Sequence, residues 1–197
     1  MPMKTLFPFF TAACGLGLLL AGTATLAQTT PTPMPATQEK MLPPNPQSRA
    51  LLEPKPSPAA TATGKIGAAS VTVSYSSPAV KGRAIWGGLV PYGQVWRAGA
   101  NEATTVEFTK DVKVDGKTLP AGKYGFFVLP MEKQWTVIFN NVPKQWGAFK
   151  YDEKQDALRV VVMPRKAAAM AERLAYEVQP TGLLLRWENL EALVPIK

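Results

Sequence analysis

Residues 105–119 are TVEFTKDVKVDGKTL, a stretch in which apolar and polar side chains alternate. A period of two places one face of a β-strand against a core and leaves the other face in solvent. Asp115-Gly116 separates two such runs, and this dipeptide favours the tight turn of a β-hairpin. The stretch therefore predicts antiparallel strands with one buried face.

Comparable runs continue on both sides of this stretch. They lie at residues 71–75, 123–129, 135–140, 158–163, 174–178, 183–187 and 193–196. Pro, Gly, Asn and Asp separate the runs, and these residues end strands or form turns. We therefore expect an all-β domain, an antiparallel β-sandwich or partly closed barrel of about eight to ten short strands.

Residues 165–170 depart from this pattern, because they are rich in alanine and favour a helix by intrinsic propensity. The segment is short and lies between two predicted strands. We therefore expect a connection with one helical turn at this point.

The first 27 residues have the composition of a secretory signal peptide. Lys4 precedes an apolar run, and the small residues Thr25 and Ala27 precede the expected cleavage site. We expect cleavage after Ala27 and export to the periplasm or the cell exterior. An uncleaved N-terminal membrane anchor is the alternative, since the run is close to the roughly 20 residues that span a bilayer.

Residues 28–64 are expected to form a proline-rich linker. Nine of the 19 prolines lie between Gln28 and Thr63, without any aromatic residue. Such a segment buries too little apolar surface to offset the entropy of ordering it, so we expect disorder. The folded domain is then residues 65–197, which contain all five tryptophans.

The residue inventory excludes most catalytic sites. The sequence has no histidine, and its single cysteine, Cys14, lies in the signal segment. This excludes Ser-His-Asp and Cys-His nucleophile systems and metal sites with His or Cys ligands. Gly-rich phosphate loops are also absent. We expect no cofactor, no metal and no catalytic residue, although hydrolysis by two carboxylates remains open.

The charge distribution argues against nucleic acid as a partner. Without Lys4 the chain has 21 basic and 14 acidic residues, and the basic residues are dispersed, with no run of three. A dispersed surplus is typical of a soluble surface rather than of a nucleic-acid footprint. We expect no nucleic-acid partner and no membrane span after signal cleavage, and we leave the oligomeric state open.

Several uncommon strings occur in a fixed order between residues 77 and 188. They are SPAVKGR (77–83), GLVPYGQVWRAGANEAT (88–104), LPAGKY (119–124), WTVIFN (135–140), QWGA (145–148) and LRWE (185–188). In these strings the chain resembles the DUF2911 family of uncharacterised exported bacterial proteins, over residues 70–197. The resemblance implies a β-sandwich and implies no activity. Two mild departures are Ala98, where a threonine is usual, and Ala79, where a serine is common.

The segment from Trp96 to Glu102, WRAGANE, is the strongest candidate for a binding site. It places an aromatic ring, a guanidinium, an amide and a carboxylate around a glycine turn. Arg97, Asn101 and Glu102 can line a polar pocket floored by Trp96, of the kind that holds a sugar or a peptide end. Alternatively, Arg97 pairs with Glu102 while Asn101 bonds the backbone of the turn.

Aromatic residues in glycine-rich loops extend the predicted site. Trp86 and Tyr92 can stand at its rim, since exposed rings stack on sugars, and Trp146 also lies beside a glycine in a loop. The alternative is that these rings cap the ends of the sandwich. Trp135 and Trp187 lie in alternating runs and are expected in the core.

Together these observations predict an exported, non-catalytic β-sandwich that binds an envelope glycan, a peptide or a protein partner. The first alternative is a structural or assembly protein without a small ligand. The second is a carboxylate-based hydrolase.

Overall fold

The computed structural model of the chain describes residues 56–197. The predicted signal peptide and most of the predicted linker lie outside the described residues. Within residues 56–197, no helix has the length and hydropathy needed to span a bilayer.

Ten β-strands and one short 3-10 helix make up the regular structure of residues 56–197. The strands are β1 (Ala59–Ile66), β2 (Ala69–Ser76), β3 (Thr104–Phe108), β4 (Val112–Val114), β5 (Lys117–Leu119), β6 (Gly122–Pro130), β7 (Trp135–Asn140), β8 (Asp156–Val162), β9 (Arg165–Gln179) and β10 (Gly182–Pro195), and the 3-10 helix is Glu153–Gln155.

Six strands form one antiparallel sheet in the order β1-β2-β3-β6-β7-β8. Its register places the apolar positions of adjacent strands side by side, because Val73 pairs with Val106 and Val106 pairs with Tyr124. The intervening positions, such as Ser74 and Thr105, point to the opposite side, which we call the outer face. The alternation seen in the sequence therefore separates a core face from an outer face.

The second layer of the sandwich combines the long β9-β10 ribbon with the β4-β5 hairpin. The backbone of Lys113 donates to and accepts from Lys197, with N–O distances of 2.8 and 2.9 Å, which joins the hairpin to the end of the ribbon. Apolar side chains of both layers meet in one core, including Phe126 of the first layer and Leu185 of the second. The predicted antiparallel sandwich is confirmed, and the sheets do not close into a barrel.

Tryptophan dominates one part of this core. The ring of Trp86 lies 4.4 Å from that of Trp135, 5.7 Å from Trp96 and 6.0 Å from Trp187, measured between centroids. Trp135 and Trp187 are fully buried, as their positions in the alternating runs predict. Aromatic pairs in edge-to-face or offset geometry add stabilisation beyond the area that they bury.

The folded domain begins earlier than the expected boundary at Lys65. Strand β1 starts at Ala59 and pairs with β2 along its whole length. Its first five residues are alanine and threonine, so this part of the strand lacks the large apolar side chains that mark a strand in sequence. Gly64 lies so close to β9 that a Cβ atom there would be 2.7 Å from Cβ of Val178. Packing between distant parts of the chain thus orders residues expected to belong to the linker.

The helical turn expected at residues 165–170 is wrong, because β9 starts at Arg165 and continues through the segment. Lys166 pairs with Leu190 of β10, and the Arg165 guanidinium donates to the Glu191 carboxylate at 2.8 Å. One isolated helical turn is costly to nucleate, whereas a strand beside β10 satisfies its backbone through the ladder. Pairing therefore outweighs the helix propensity of alanine.

Candidate functional site

The segment Trp96–Glu102 leads into β3 and is tied to the sheet at its start. The backbone of Trp96 donates to the Val128 carbonyl at 2.8 Å and accepts from the Val128 amide at 2.9 Å. The indole N–H of Trp96 donates to the Gly99 carbonyl at 3.2 Å, and the ring packs in the tryptophan cluster. Trp96 is therefore a core residue rather than the floor of an open pocket.

The middle of the segment is built around the carbonyl oxygen of Ala98. This oxygen accepts hydrogen bonds from the hydroxyls of Tyr176, at 2.7 Å, and Thr104, at 2.9 Å. Ala98 and Asn101 have positive φ angles of 52° and 60°, so the chain bends sharply here. A Cβ atom at Gly99 would lie 2.7 Å from the Thr104 hydroxyl oxygen, so only glycine fits. These contacts give the segment an architectural role.

Asn101 also forms three hydrogen bonds within the chain. Its side-chain amide donates to the Ser57 carbonyl and to the Ser76 hydroxyl, both at 3.2 Å. Its backbone carbonyl accepts from the Gly147 amide at 3.1 Å. Asn101 thereby fastens the residues before β1, the end of β2 and the segment between β7 and β8 to one point.

Arg97 is half-buried and lacks the expected ion pair with Glu102. Among residues 56–197 the salt bridges form between other residues, and the Arg97 Nε atom is buried without a hydrogen-bond partner. Burial lowers the pKa of the Arg97 guanidinium, because removal from water disfavours its charged form.

The two loop aromatics of the predicted site pack against the chain. Trp86 is half-buried in the tryptophan cluster, and the ring of Tyr92 covers Gly87. These positions agree with the alternative that loop aromatics cap the sandwich. The structure therefore does not gather the six predicted residues, Trp86, Tyr92, Trp96, Arg97, Asn101 and Glu102, around one cavity.

A groove of about 810 Å³ opens on the outer face of the six-stranded sheet. Ser74, Thr105 and Lys123 contribute from neighbouring strands, because each occupies an outward position of its strand. The start of β1, residues 59–61, lines one side, and residues 143–146 line the other. Of the six residues predicted from the sequence, Glu102 alone lines this groove.

Trp146 is the aromatic residue that the predicted site lacked. Its side chain is 60% exposed, and a backbone bridge between Trp146 and Glu102 places both residues at the same end of the groove. The alternation of apolar and polar residues along β3 and β6 is enough to identify Thr105 and Lys123 as outward residues. The exposure of Trp146 depends on how its loop folds, and no sequence signal separates it from Trp86.

A polar network holds the segment that carries Trp146. The Asp156 carboxylate accepts from the Asn140 amide at 2.8 Å, from the Tyr151 hydroxyl at 2.6 Å and from Nε of Arg159 at 2.6 Å. Burial, together with the hydrogen bond to Asp156, raises the pKa of Tyr151 to about 12. The phenol therefore stays protonated at neutral pH and serves as a hydrogen-bond donor.

The same segment covers part of the outer face. Phe127 and Ile138 are buried there, against Ala148 and Tyr151. No group of three or more His, Cys, Asp or Glu side chains within residues 56–197 is placed to hold a metal ion. The groove thus combines one exposed indole, small apolar residues, hydroxyl groups, one carboxylate and two lysines.

Comparison with protein families identifies one match. The profile of a family described as "Protein of unknown function (DUF2911)" matches residues 57–196. The chain belongs to the DUF2911 family. The resemblance seen in the sequence strings is thereby confirmed, and the matched range begins just before β1. Comparisons with curated proteins and with solved structures give no match.

Proposed function

We propose that this DUF2911 domain is an exported, non-catalytic module that binds a carbohydrate chain in the groove beside Trp146. The observation that carries the proposal is the exposed indole of Trp146 at the edge of a groove whose lining combines small apolar residues with hydroxyl and charged side chains. An indole stacks on the apolar face of a sugar ring, while polar groups bond its hydroxyls and set orientation. Export rests on the signal-like composition of residues 1–27.

The polar groups of the groove suit a neutral or mixed-charge glycan. Ser74 and Thr105 supply hydroxyls, Glu102 supplies a negative charge, and Lys123 and Lys144 supply positive charges. Lys123 also approaches Glu107 at 3.9 Å, so its charge is partly balanced. A peptide or a protein partner is the broader alternative, but the exposed indole of Trp146 beside several hydroxyls favours a sugar.

Glu102 is the one carboxylate among the residues that line the groove. Most glycoside hydrolases need a pair of carboxylates, separated by roughly 5–10 Å, on the two sides of the scissile bond. A single carboxylate can accept a hydrogen bond from a sugar hydroxyl without supplying both catalytic roles. The groove therefore supports binding rather than hydrolysis.

The experiment is a screen of the full chain on an array of bacterial envelope glycans, followed by calorimetric titration of any glycan retained. Trp146→Ala is expected to weaken binding about tenfold or more, because the stacking surface is lost. Phe149→Ala is the matched control, since Phe149 is exposed on the same segment but does not line the groove. Retention that survives Trp146→Ala unchanged contradicts the proposed site.

A structural or assembly role without a small ligand is the second candidate. It is favoured by the segment Trp96–Glu102, whose hydrogen bonds connect strands to one another. Failure of every glycan on the array to bind supports this role. Glycan turnover that disappears in Glu102→Gln would instead support hydrolysis and would contradict both candidates.

A further inference from the structure

The segment between β7 and β8 exposes a compact set of apolar side chains. Phe149 is 85% exposed, Trp146 60% and Val142 41%. Phe149 has the highest exposure among the large hydrophobic residues of the described part of the chain. Single exposed apolar residues are common, but three on one short segment indicate a surface that meets something other than water.

These side chains surround a second, smaller hollow. It measures about 350 Å³ and is lined by Val142, Lys144, Gln145, Trp146, Phe149 and Lys150. Two exposed lysines thus lie directly beside two exposed aromatic rings. This arrangement is amphipathic, with cationic groups next to an apolar patch.

The charges that face this hollow are predominantly positive. Residues 141–151 contain Lys144 and Lys150 and no acidic residue. The acidic residues that follow are engaged elsewhere, because the carboxylate of Asp152 accepts from the Lys154 amide and Glu153 pairs with Arg159. Glu102 is the remaining acidic neighbour, and it lies on the groove side of Trp146.

Anchors at both ends keep the aromatic rings in place. Gly147 donates to the Asn101 carbonyl at 3.1 Å, and the ring of Tyr151 packs on Phe127 at 5.2 Å between centroids. Asp156 holds Tyr151 from the other side. With the backbone of the segment held at these points, Phe149 and Trp146 remain at the surface.

We propose that residues 142–150 dock this domain on the surface of a bilayer that contains anionic lipids. Phe149 and Trp146 enter the boundary between headgroups and acyl chains, where aromatic rings partition favourably. Lys144 and Lys150 stay among the headgroups, where the negative surface potential attracts them. Charge complementarity, with two lysines and no acidic residue in the segment, selects an anionic lipid surface over a neutral one.

Vesicle binding by the full chain tests this proposal. The probe is a vesicle of phosphatidylcholine, with or without phosphatidylglycerol, whose acyl chains carry bromine to quench nearby tryptophan emission. Because the apolar run at residues 6–26 can bind vesicles by itself, the readout must be specific to the segment. Quenching of the Trp146 emission is such a readout, because the other four tryptophans pack in the core and Trp146 is exposed.

Brominated anionic vesicles are expected to quench the emission of the wild-type chain, and Trp146→Phe is expected to abolish that quenching. Phe149→Ala should raise the lipid concentration needed for half-maximal quenching by about tenfold, because an apolar anchor is lost. The double change Lys144→Glu and Lys150→Glu should have a similar effect by reversing the charge. Far-UV circular dichroism verifies that each variant is folded.

Two matched controls keep the result specific. Met163→Ala removes an apolar side chain that is 66% exposed on another part of the surface, and Lys133→Glu reverses an exposed charge there. Both variants should behave as wild type.

Equal quenching by neutral vesicles, or equal loss of quenching in the controls, overturns the proposal. A Phe149-dependent protein partner together with no vesicle quenching also overturns it. Phe149→Ala should leave glycan binding unchanged, because Phe149 does not line the groove, so this variant distinguishes failure of one proposal from failure of the other.

Discussion

The hydroxyl of Tyr176 donates a hydrogen bond of 2.7 Å to the carbonyl oxygen of Ala98, 78 residues earlier in the chain. Tyr176 belongs to β9 in the second layer, whereas Ala98 lies in the segment that leads into the six-stranded sheet. The bond therefore joins the two layers across the core. Burial raises the pKa of Tyr176 well above its ordinary value, so its hydroxyl remains a donor.

Removing this donor tests the architectural role of the segment. Tyr176→Phe and Thr104→Val should each lower the free energy of unfolding by about 1 kcal/mol, because the Ala98 carbonyl keeps one partner in either variant. The double variant should lower the free energy of unfolding by more than the sum of the two single losses, because the buried Ala98 carbonyl is then left without any partner. Urea denaturation followed by circular dichroism measures all three. Tyr92→Phe is the control, and additive losses would contradict a shared acceptor.

Close packing of β1 on β9 makes Gly64 sensitive to substitution. Gly64→Ala should lower the free energy of unfolding by about 1–3 kcal/mol, because the added methyl group meets Val178. Thr63→Ala, at the adjacent exposed position, should change it by less than about 0.5 kcal/mol. Denaturant unfolding of both variants gives the comparison. A Gly64→Ala protein as stable as wild type would show that β1 shifts freely against β9.

Two tryptophans beside glycines in loops should respond differently to truncation. Trp86→Ala should destabilise the domain by about 3 kcal/mol, since it opens a cavity within the tryptophan cluster. Trp146→Ala should change stability by less than about 0.5 kcal/mol, because its ring is largely in solvent. Thermal unfolding of the two variants under identical conditions measures the difference. Equal losses would mean that Trp146 supports the fold and is not free to bind.

Alkaline pH should weaken the network around Asp156. The pKa of Tyr151 is raised from its ordinary value of 10.0 to about 12 in the folded state. The folded state holds the Tyr151 proton more tightly than the unfolded state. The contribution of this proton to the free energy of unfolding is therefore complete below about pH 10 and is lost as the pH rises toward 12. Urea unfolding at pH 8, 10 and 11 should show wild type losing more stability than Tyr151→Phe. Parallel curves for the two proteins would contradict the raised pKa.

Patterns of alternating residues predicted most of the sandwich, because a strand with one buried face repeats every two residues. The pattern failed at β1, where alanine and threonine give little contrast in hydrophobicity between alternate positions. It also failed at residues 165–170, where alanine favours a helix by propensity but pairing with β10 makes the segment a strand. Both failures have the same cause, since a distant strand decides the local structure.

The candidate site was predictable only in part. The sequence pointed to Glu102, and Thr105 and Lys123 follow from the alternation of β3 and β6. Trp86 and Trp146 occupy similar sequence contexts, yet one packs in the core and the other is exposed. The difference arises from hydrogen bonds such as that between Gly147 and Asn101, which link residues 46 positions apart.

The contact between Gly64 and Val178 has a consequence for the time course of folding. Gly64 of β1 cannot contact Val178 of β9 until nearly the whole domain has been synthesised. The Ser77 hydroxyl likewise cannot donate to the Leu174 carbonyl, 97 residues later, until β9 has been synthesised. Sandwiches closed by such distant contacts fold slowly, in milliseconds to seconds, because the entropy of long loops opposes closure. The domain therefore stays incompletely folded until β9 is available to both β1 and Ser77.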